Sequence, residues 1–376
     1  MQVGVNLVFL VPGEMSGPET YARELIPALL NERPDLRLTA FINREAAEVR
    51  DGPWRDIRSV LVPVRARRRT GWVLGEQQLL PVLAKRAGVD LVHSLINTGP
   101  AWGAFRRVLT IQDVIYRIYP ETHNPLRTLA LRVLVPLSAR TADRIIVPSE
   151  ATRQDVIRLL RIDASKIDLV PHGVGATHAD RAESEDVLRQ RYDLGARPIV
   201  FTLSLKRKHK NLERLLDALA LIPSERRPVL VLAGHATPYE QELRAHAART
   251  GVAGDARFLG WLPPEELEGL YRASTCFVFP SLYEGFGLPV LEAMARGVPV
   301  ASSARGSLGE VVDDAAITFD PESSRAIGDA IERLLRDPDE RARLGEKGRA
   351  HAQRFSWAET ARQTLEVYER TLGIRA

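Results

Sequence analysis

Two carboxylates, Glu284 and Glu292, lie eight residues apart in a stretch whose other features favour a phosphate. The stretch, residues 276–303, has the pattern of a strand, a glycine-containing loop, a helix over 289–296 and a second strand. The glycines let a ligand approach the loop backbone, and the N-terminus of the helix favours an anion. A carboxylate beside a phosphate is poorly placed to hold a second anion. We therefore expect both carboxylates to accept hydrogen bonds from hydroxyl groups, such as those of a sugar.

The run 280–299 resembles the signature of the retaining glycosyltransferases of family 4, the group 1 glycosyl transferases of GT-B fold. An isolated pair of glutamates at this spacing more often marks a helix-dipole contact and a turn, but the match covers the whole run. The resemblance implies that Glu284 is catalytic and contacts the transferred sugar, and that Glu292 holds the ribose of the donor nucleotide. The loop that meets the donor diphosphate would then comprise Gly285, Phe286, Gly287 and Leu288.

A basic loop, residues 206–210, precedes an amphipathic helical pattern that Asn211 is predicted to cap. Basic side chains at a helix N-terminus oppose the helix dipole, so this cluster of charges indicates an anionic ligand. In the family, this loop carries an Arg/Lys pair that binds the donor diphosphate, and Lys210 matches the catalytic lysine. Its partner is either Arg207 or Lys206. A merely solvated loop is the alternative.

Four further positions match parts of the family's site. Gln112 follows a predicted strand, where the family commonly has a His near the transferred sugar; Gln does not titrate, so no proton transfer is assigned to it. His172 stands at a position where the family has Asn, and we predict a structural role. The resemblance also implies donor contacts at Gly17 in a glycine-rich loop, at the backbone of Leu262, and at Gly234 after a strand of the second sheet.

The 376 residues exceed the size at which a single core stops growing, so two domains are expected. Strand patterns alternate with helical ones, which predicts mainly parallel sheets covered on both faces. The predicted class is α/β, and the resemblance to family 4 implies GT-B architecture, with two Rossmann-like domains whose parallel sheets face a central cleft. The predicted parts are an acceptor-binding domain 1–175, a linker 176–195, a nucleotide-sugar-binding domain 196–356, and a C-terminal helix, about 357–376, that packs back onto the first domain.

The composition, 45% hydrophobic and 27% charged, is typical of a soluble globular protein. No apolar run reaches the ~18 residues of a membrane span, so a cytoplasmic protein is expected. An arginine cluster in the basic N-terminal domain could meet an anionic acceptor or the inner face of a membrane, although a solvated loop is the alternative. The pattern fits nucleic acid poorly, because no aromatic residues interleave the arginines and the sequence contains no recognisable nucleic-acid-binding module. The cluster consists of Arg65, Arg67, Arg68 and Arg69.

No metal site and no cofactor are predicted. The run 337–339 has the D-x-D form of a metal-binding motif, but its setting between two helical patterns favours Asp337 as a helix cap. The single cysteine, Cys276, is predicted to be buried packing. The motifs of P-loop ATPases, zinc hydrolases and simple dehydrogenases are absent or incomplete in the sequence.

The resemblance to family 4 thus implies a retaining hexosyltransferase, which is expected to act without a metal. The expected donor is a GDP- or UDP-sugar, and the expected acceptor is a hydroxyl of a saccharide, lipid-linked or small molecule, in polysaccharide or cell-envelope biosynthesis. Lys210, its partner and the terminus of the 289–296 helix are expected to stabilise the departing diphosphate. A nucleotide-sugar epimerase of the same fold is one alternative, although no acid/base pair can be assigned. A non-catalytic nucleotide-sugar-binding protein is the other.

Overall fold

The computed structural model places the chain in two compact α/β units. It describes residues 1–14, 16–49, 51–122, 124–175 and 179–374. The first unit comprises Met1–Gly173 and Phe355–Ala376, and the second comprises Val174–Arg354. None of the helices in these described ranges combines the length and the apolar character that crossing a membrane requires.

Thirteen strands form the two sheets over the described ranges. In chain order they are β1 (Gln2–Leu7), β2 (Arg37–Ile42), β3 (Arg58–Leu61), β4 (Leu91–Ser94), β5 (Arg106–Thr110), β6 (Arg144–Val147), β7 (Ile167–Leu169), β8 (Ile199–Leu203), β9 (Val229–Ala233), β10 (Ala256–Phe258), β11 (Cys276–Phe279), β12 (Val300–Ser303) and β13 (Ile317–Phe319).

Sixteen α-helices connect and cover the strands in the described part of the chain. They are α1 (Ser16–Glu32), α2 (Arg44–Glu48), α3 (Arg69–Leu74), α4 (Leu80–Ala87), α5 (Ile115–Ile118), α6 (Pro125–Thr141), α7 (Glu150–Asp155), α8 (Glu185–Arg191), α9 (Leu212–Leu221), α10 (Tyr239–Arg249), α11 (Pro264–Ala273), α12 (Leu288–Ala295), α13 (Leu308–Val312), α14 (Ser324–Arg336), α15 (Pro338–Ala352) and α16 (Trp357–Leu372).

The first unit is built on a seven-stranded parallel sheet of order β3-β2-β1-β4-β5-β6-β7. Strands β1, β4 and β6 are almost wholly buried and contain Val, Ile and Leu, because helices cover both faces of a parallel sheet. The C-terminal helix α16 belongs to this unit and packs on α1. Gly173 accommodates that packing, since a Cβ there would lie 2.2 Å from the backbone nitrogen of Trp357.

The second unit is built on a six-stranded parallel sheet of order β10-β9-β8-β11-β12-β13. From β8 the chain moves outward to β9 and β10, then returns to place β11 on the other side of β8. The strand order therefore reverses between β8 and β11, and open α/β sheets bind their ligands at such a switch point. Helices α9 and α14 pack on this sheet through Leu215, Leu219, Ile327 and Ile331.

The segment predicted as a linker, 176–195, contains helix α8. Leu188 of α8 is buried, and the helix packs on α11 within the second unit. Residues 176–178 lie outside the described ranges. Cys276 is buried in β11 as predicted, because β11 is the central strand between β8 and β12.

Candidate active site

The predicted donor-binding residues of the second unit lie where its strands end. Residues 204–211 follow β8, and residues 280–287 follow β11, its neighbour in the sheet. Both loops leave the carboxyl ends of parallel strands at the switch point, so they border one edge of the sheet.

Lys210 and Glu284 join these two loops. The Lys210 Nζ lies 2.5 Å from Oε1 of Glu284, and both side chains are mostly buried. The backbone adds a second connection, because the Leu282 N–H donates to the carbonyl of His209 at 2.8 Å. An ammonium group has three N–H donors, so the contact with Glu284 leaves donors of Lys210 for phosphate oxygens.

Asn211 holds the same two loops together and does not cap α9. The predicted side-chain cap is wrong: Nδ2 of Asn211 donates instead to the carbonyls of Pro280, at 3.0 Å, and Pro321, at 2.7 Å. The backbone of Asn211 is left-handed, with φ 59°, a conformation that Asn tolerates better than most residues. The side chain thus fixes the position from which Lys210 reaches Glu284.

Lys206 has a structural role, and its position in the protein argues against the predicted contact with the donor diphosphate. Its side chain is fully buried, and Nζ donates to the carbonyls of Gly234, at 2.6 Å, and Leu259, at 2.9 Å. Glu240 faces the same nitrogen at 3.6 Å. Burial lowers the pKa of Lys206, while Glu240 opposes that shift. Its donors are engaged inside the protein, so the half-buried Arg207 is the remaining candidate for the partner of Lys210.

Gly234 brings the loop after β9 against the loop after β8. Its φ is +118°, and a Cβ would lie 2.2 Å from the carbonyl oxygen of Ser204, so only glycine fits. The Gly234 N–H donates to the carbonyl of Gly260 at 3.1 Å, and its own carbonyl accepts from Lys206. Leu262 is buried two residues beyond Gly260. These backbone contacts set the edge of the site on the side of β9 and β10.

Glu292 lies on α12 and is held by Tyr271. The Tyr271 hydroxyl donates to Oε2 of Glu292 at 3.0 Å. Burial raises the pKa of Glu292, while the charge of Arg296 and the hydrogen bond from Tyr271 oppose the rise. One hydrogen bond occupies a fraction of a carboxylate's acceptor capacity, so Glu292 retains acceptor sites for hydroxyl groups.

The glycine-containing loop before α12 is shaped by α13. Gly287 has φ +124°, and a Cβ there would lie 2.7 Å from the side chain of Leu308. The buried Ser307 hydroxyl lies 2.7 Å from the carbonyl oxygen of Phe286 and 3.0 Å from that of Glu284. These contacts hold the carbonyls, and thereby orient the loop N–H groups and the N-terminus of α12.

In the first unit, Gln112 is fixed by two hydrogen bonds. Its Nε2 donates to the carbonyl of Leu95 at 3.0 Å, and its Oε1 accepts from Nε2 of His172 at 2.6 Å. His172 is buried, with its ring 4.5 Å from that of Tyr21 and 6.0 Å from that of Trp357. Burial lowers the pKa of His172 to about 3. The imidazole is therefore neutral at physiological pH, and it orients the amide of Gln112.

Gly17 lies in the first turn of α1, which begins at Ser16, and not in the loop where it was predicted. The helix starts two residues earlier than the sequence pattern indicates, because Ser16 and Gly17 adopt helical backbone ahead of Pro18. Gly17 is exposed, and a Cβ there would meet no atom within 4 Å.

Comparisons with known proteins identify the family of this chain. The sequence profile of Glycosyltransferase Family 4 matches residues 15–178, and that of Glycosyl transferases group 1 matches residues 185–351. O-antigen chain mannosyltransferase B of Escherichia coli is 34% identical over 267 residues, which is 70% of each chain. The chain belongs to the group 1 glycosyl transferases.

Two solved structures show the fold that this glycosyltransferase shares with its relatives. Sucrose-phosphate synthase from Thermosynechococcus elongatus matches over the whole of both chains, with a TM-score of 0.81 and 21% identity. HepE from Anabaena, solved in complex with UDP and glucose, matches with a TM-score of 0.74 and 20% identity over 98% of this chain and 100% of HepE. The predicted GT-B fold with two Rossmann-like domains is confirmed.

Two site residues of this glycosyltransferase, Tyr271 and Ser307, escape prediction from the sequence. Tyr271 contacts Glu292 across 21 residues, and Ser307 contacts Glu284 across 23 residues. Neither lies in a local pattern that distinguishes it from ordinary packing. Covariation of these two positions with the glutamates, in an alignment of homologous sequences, is the signal that would identify Tyr271 and Ser307.

The D-x-D run of this glycosyltransferase is a helix cap, as predicted. Oδ1 of Asp337 accepts from the Glu340 N–H at 2.9 Å, at the start of α15. Over the described ranges, no group of three or more His, Cys, Asp and Glu side chains is arranged to hold a metal ion.

Proposed function

We propose that this glycosyltransferase transfers a hexose from a nucleotide-diphosphate sugar with retention of the anomeric configuration and without a metal. The observation that carries the proposal is the contact between Lys210 and Glu284 at the switch point of the second sheet. It joins a cation suited to a diphosphate with a carboxylate suited to sugar hydroxyls, at the edge where α/β sheets bind ligands.

The donor would be held by groups with distinct tasks. Lys210 and Arg207 would bind the diphosphate, together with the N-terminus of α12. Glu292, steadied by Tyr271, would accept hydrogen bonds from the ribose hydroxyls. The backbone near Leu262 would meet the base. Glu284 would face the transferred sugar.

In the proposed reaction, the bond between the anomeric carbon and the diphosphate oxygen breaks, and its electron pair leaves with the diphosphate. Lys210 and Arg207 stabilise that growing charge, which is the role that a metal plays in other transferases. The acceptor oxygen forms its bond to the anomeric carbon on the same face, and its proton passes to an oxygen of the departing diphosphate. Gln112 positions hydroxyls and takes no proton, because an amide does not titrate.

The relatives guide the choice of substrates. The E. coli relative is named a mannosyltransferase, and HepE was solved with UDP and glucose. We therefore propose a GDP- or UDP-hexose as donor. As acceptor we propose a hydroxyl of a saccharide, lipid-linked or small molecule, in the building of a polysaccharide or cell-envelope component.

A panel of nucleotide sugars tests the proposal. The full chain is incubated with GDP-mannose, UDP-glucose and related donors in EDTA, and the released nucleoside diphosphate and sugar are followed. We expect slow release from one donor, abolished by Glu284→Gln and unchanged by Lys208→Met on the exposed part of the same loop. An altered sugar still attached to its nucleotide would indicate an epimerase. Binding of a donor without turnover, with a broad acceptor panel present, would indicate a non-catalytic protein. Either result would overturn the proposal.

A further inference from the structure

Helix α6 of the first unit is apolar on two opposite faces. Its inner face packs on β5 and β6 through Leu131, Val135 and Ala139, which are buried in one core cluster. Its outer face carries Leu126, Leu129 and Val133, whose exposed fractions are 75%, 61% and 61%. A helix that is apolar all round normally has both faces covered. The outer face of α6 therefore points to a further contact.

The exposed residues form a continuous line. Leu126, Leu129, Val133 and Leu137 are spaced by three or four positions, which places them one above the other on a single helix face. We call these four side chains the outer stripe. A single exposed leucine needs no explanation, but four exposed aliphatic side chains in a line along about three turns of one helix form a patch of the kind that marks an interaction surface.

Within helix α6 itself all the charged side chains are positive. Helix α6 contains Arg127, Arg132 and Arg140 and no Asp or Glu. Arg132 and Arg140 are exposed, and among the described residues no carboxylate lies within ion-pair distance of either. A helix with an apolar outer stripe and arginines beside it suits the interface of an anionic bilayer, where the apolar side chains enter the acyl boundary and the arginines meet phosphate groups.

The arginine cluster that the sequence analysis singled out is less suited to such a surface. Arg65 pairs with Glu48 at 3.0 Å, and Arg67 pairs with Glu14 at 2.6 Å. Carboxylates therefore neutralise part of that cluster. The side chain of Arg69 lies outside the described part of the chain.

A second copy of the chain fits the outer stripe less well than a bilayer. Two-fold pairing through α6 would bring like patches together, and the arginines of one α6 would face those of the other. No acidic residue on α6 would offset that repulsion.

We propose that the outer stripe of α6 docks the first unit on an anionic lipid surface, with the helix lying in the plane of the headgroups. The proposal is independent of the sugar donor and of turnover, because vesicle binding needs neither.

Co-sedimentation of the full chain with vesicles tests the proposal. Vesicles of phosphatidylglycerol and phosphatidylcholine are compared with vesicles of phosphatidylcholine alone, at low and high salt. We expect binding to the anionic vesicles that weakens as salt rises. The double substitution Leu129→Ser and Val133→Ser should weaken binding roughly tenfold or more, because two apolar side chains no longer enter the bilayer. Arg132→Gln with Arg140→Gln should weaken binding to anionic vesicles and reduce its salt dependence.

Matched controls make the outcome decisive. Leu221→Ser removes an exposed leucine from α9 in the second unit and should leave vesicle binding unchanged. The outer-stripe variant should keep the wild-type circular dichroism and melting temperature, because its side chains are exposed. The proposal is overturned if the wild type does not bind anionic vesicles at low salt, or if the variant with Leu129→Ser and Val133→Ser binds them as strongly as the wild type. It is also overturned if the wild type is a dimer that the outer-stripe variant dissociates, since the stripe would then bind a second copy.

Discussion

Replacing Lys206 by methionine should destabilise the second unit. The substitution keeps the apolar part of the side chain but removes an ammonium that donates to the carbonyls of Gly234 and Leu259, at 2.6 and 2.9 Å. Both carbonyls then lack this hydrogen-bond donor inside the protein. The Lys206 ammonium, which connects the loops after β8, β9 and β10, would be missing.

The size of this effect follows from the contacts. Two hydrogen bonds from a charged donor contribute roughly 1.5–3 kcal/mol each. Methionine, on the other hand, relieves the cost of burying an ammonium, a cost that the lowered pKa of Lys206 reports. We therefore expect the free energy of unfolding of the second unit to fall by about 2–4 kcal/mol.

Hydrogen-exchange mass spectrometry of the full chain measures this change locally. Peptides from β8 and β9 should exchange faster by the corresponding factor, while peptides from β1 and β4 in the first unit should be unchanged. Lys208→Met, on the exposed part of the same loop, should shift stability by no more than about 0.5 kcal/mol. Wild-type protection in Lys206→Met, together with a loss of turnover, would refute the reasoning and restore Lys206 as a diphosphate ligand.

Four further predictions concern the donor site. Lys210→Ala should lower kcat by a factor of roughly 10²–10³, with a smaller effect on substrate affinity, and Arg207→Ala should approach this loss. Wild-type kcat in both variants would show that the diphosphate binds at another site. Glu292→Ala should weaken binding of the bare nucleoside diphosphate by about 1.5–3 kcal/mol in calorimetry. Because burial raises the pKa of Glu292 and hydroxyls bind its ionised form, wild-type affinity should rise with pH above the usual range of a glutamate, and Glu292→Gln should flatten that rise. Turnover should persist in excess EDTA, and a loss that Mg²⁺ or Mn²⁺ restores would contradict the metal-free mechanism.

The fold and the loops of the site can be predicted from the sequence because both depend on local patterns. Alternating strand and helix patterns predict the parallel sheets, and the run around Glu284 and Glu292 marks the loop before α12. Lys206 is structural and Arg207 is the candidate diphosphate ligand because Lys206 is buried and Arg207 is only half-buried. The burial of Lys206 depends on where Gly234 and Leu259 lie in space. Adjacent basic residues carry no local sign of that difference.

Two other features depend on contacts that the sequence pattern does not record. Asn211 occupies the position of a helix cap, but its side chain turns to the carbonyl of Pro280 because the loop after β11 lies beside it. The outer stripe of α6 looks like core packing in sequence, since the helix is apolar on both faces. Only the fold shows which face the sheet covers.

The stereochemistry of transfer tests the central claim most directly. Time-resolved proton NMR follows the sugar that the enzyme releases from an α-linked nucleotide sugar, either on an acceptor or, with water as acceptor, before mutarotation. Transfer at the face that the diphosphate leaves, supported by Lys210 and Glu284, predicts that the α-anomer forms first. Initial formation of the β-anomer would contradict the proposed mechanism.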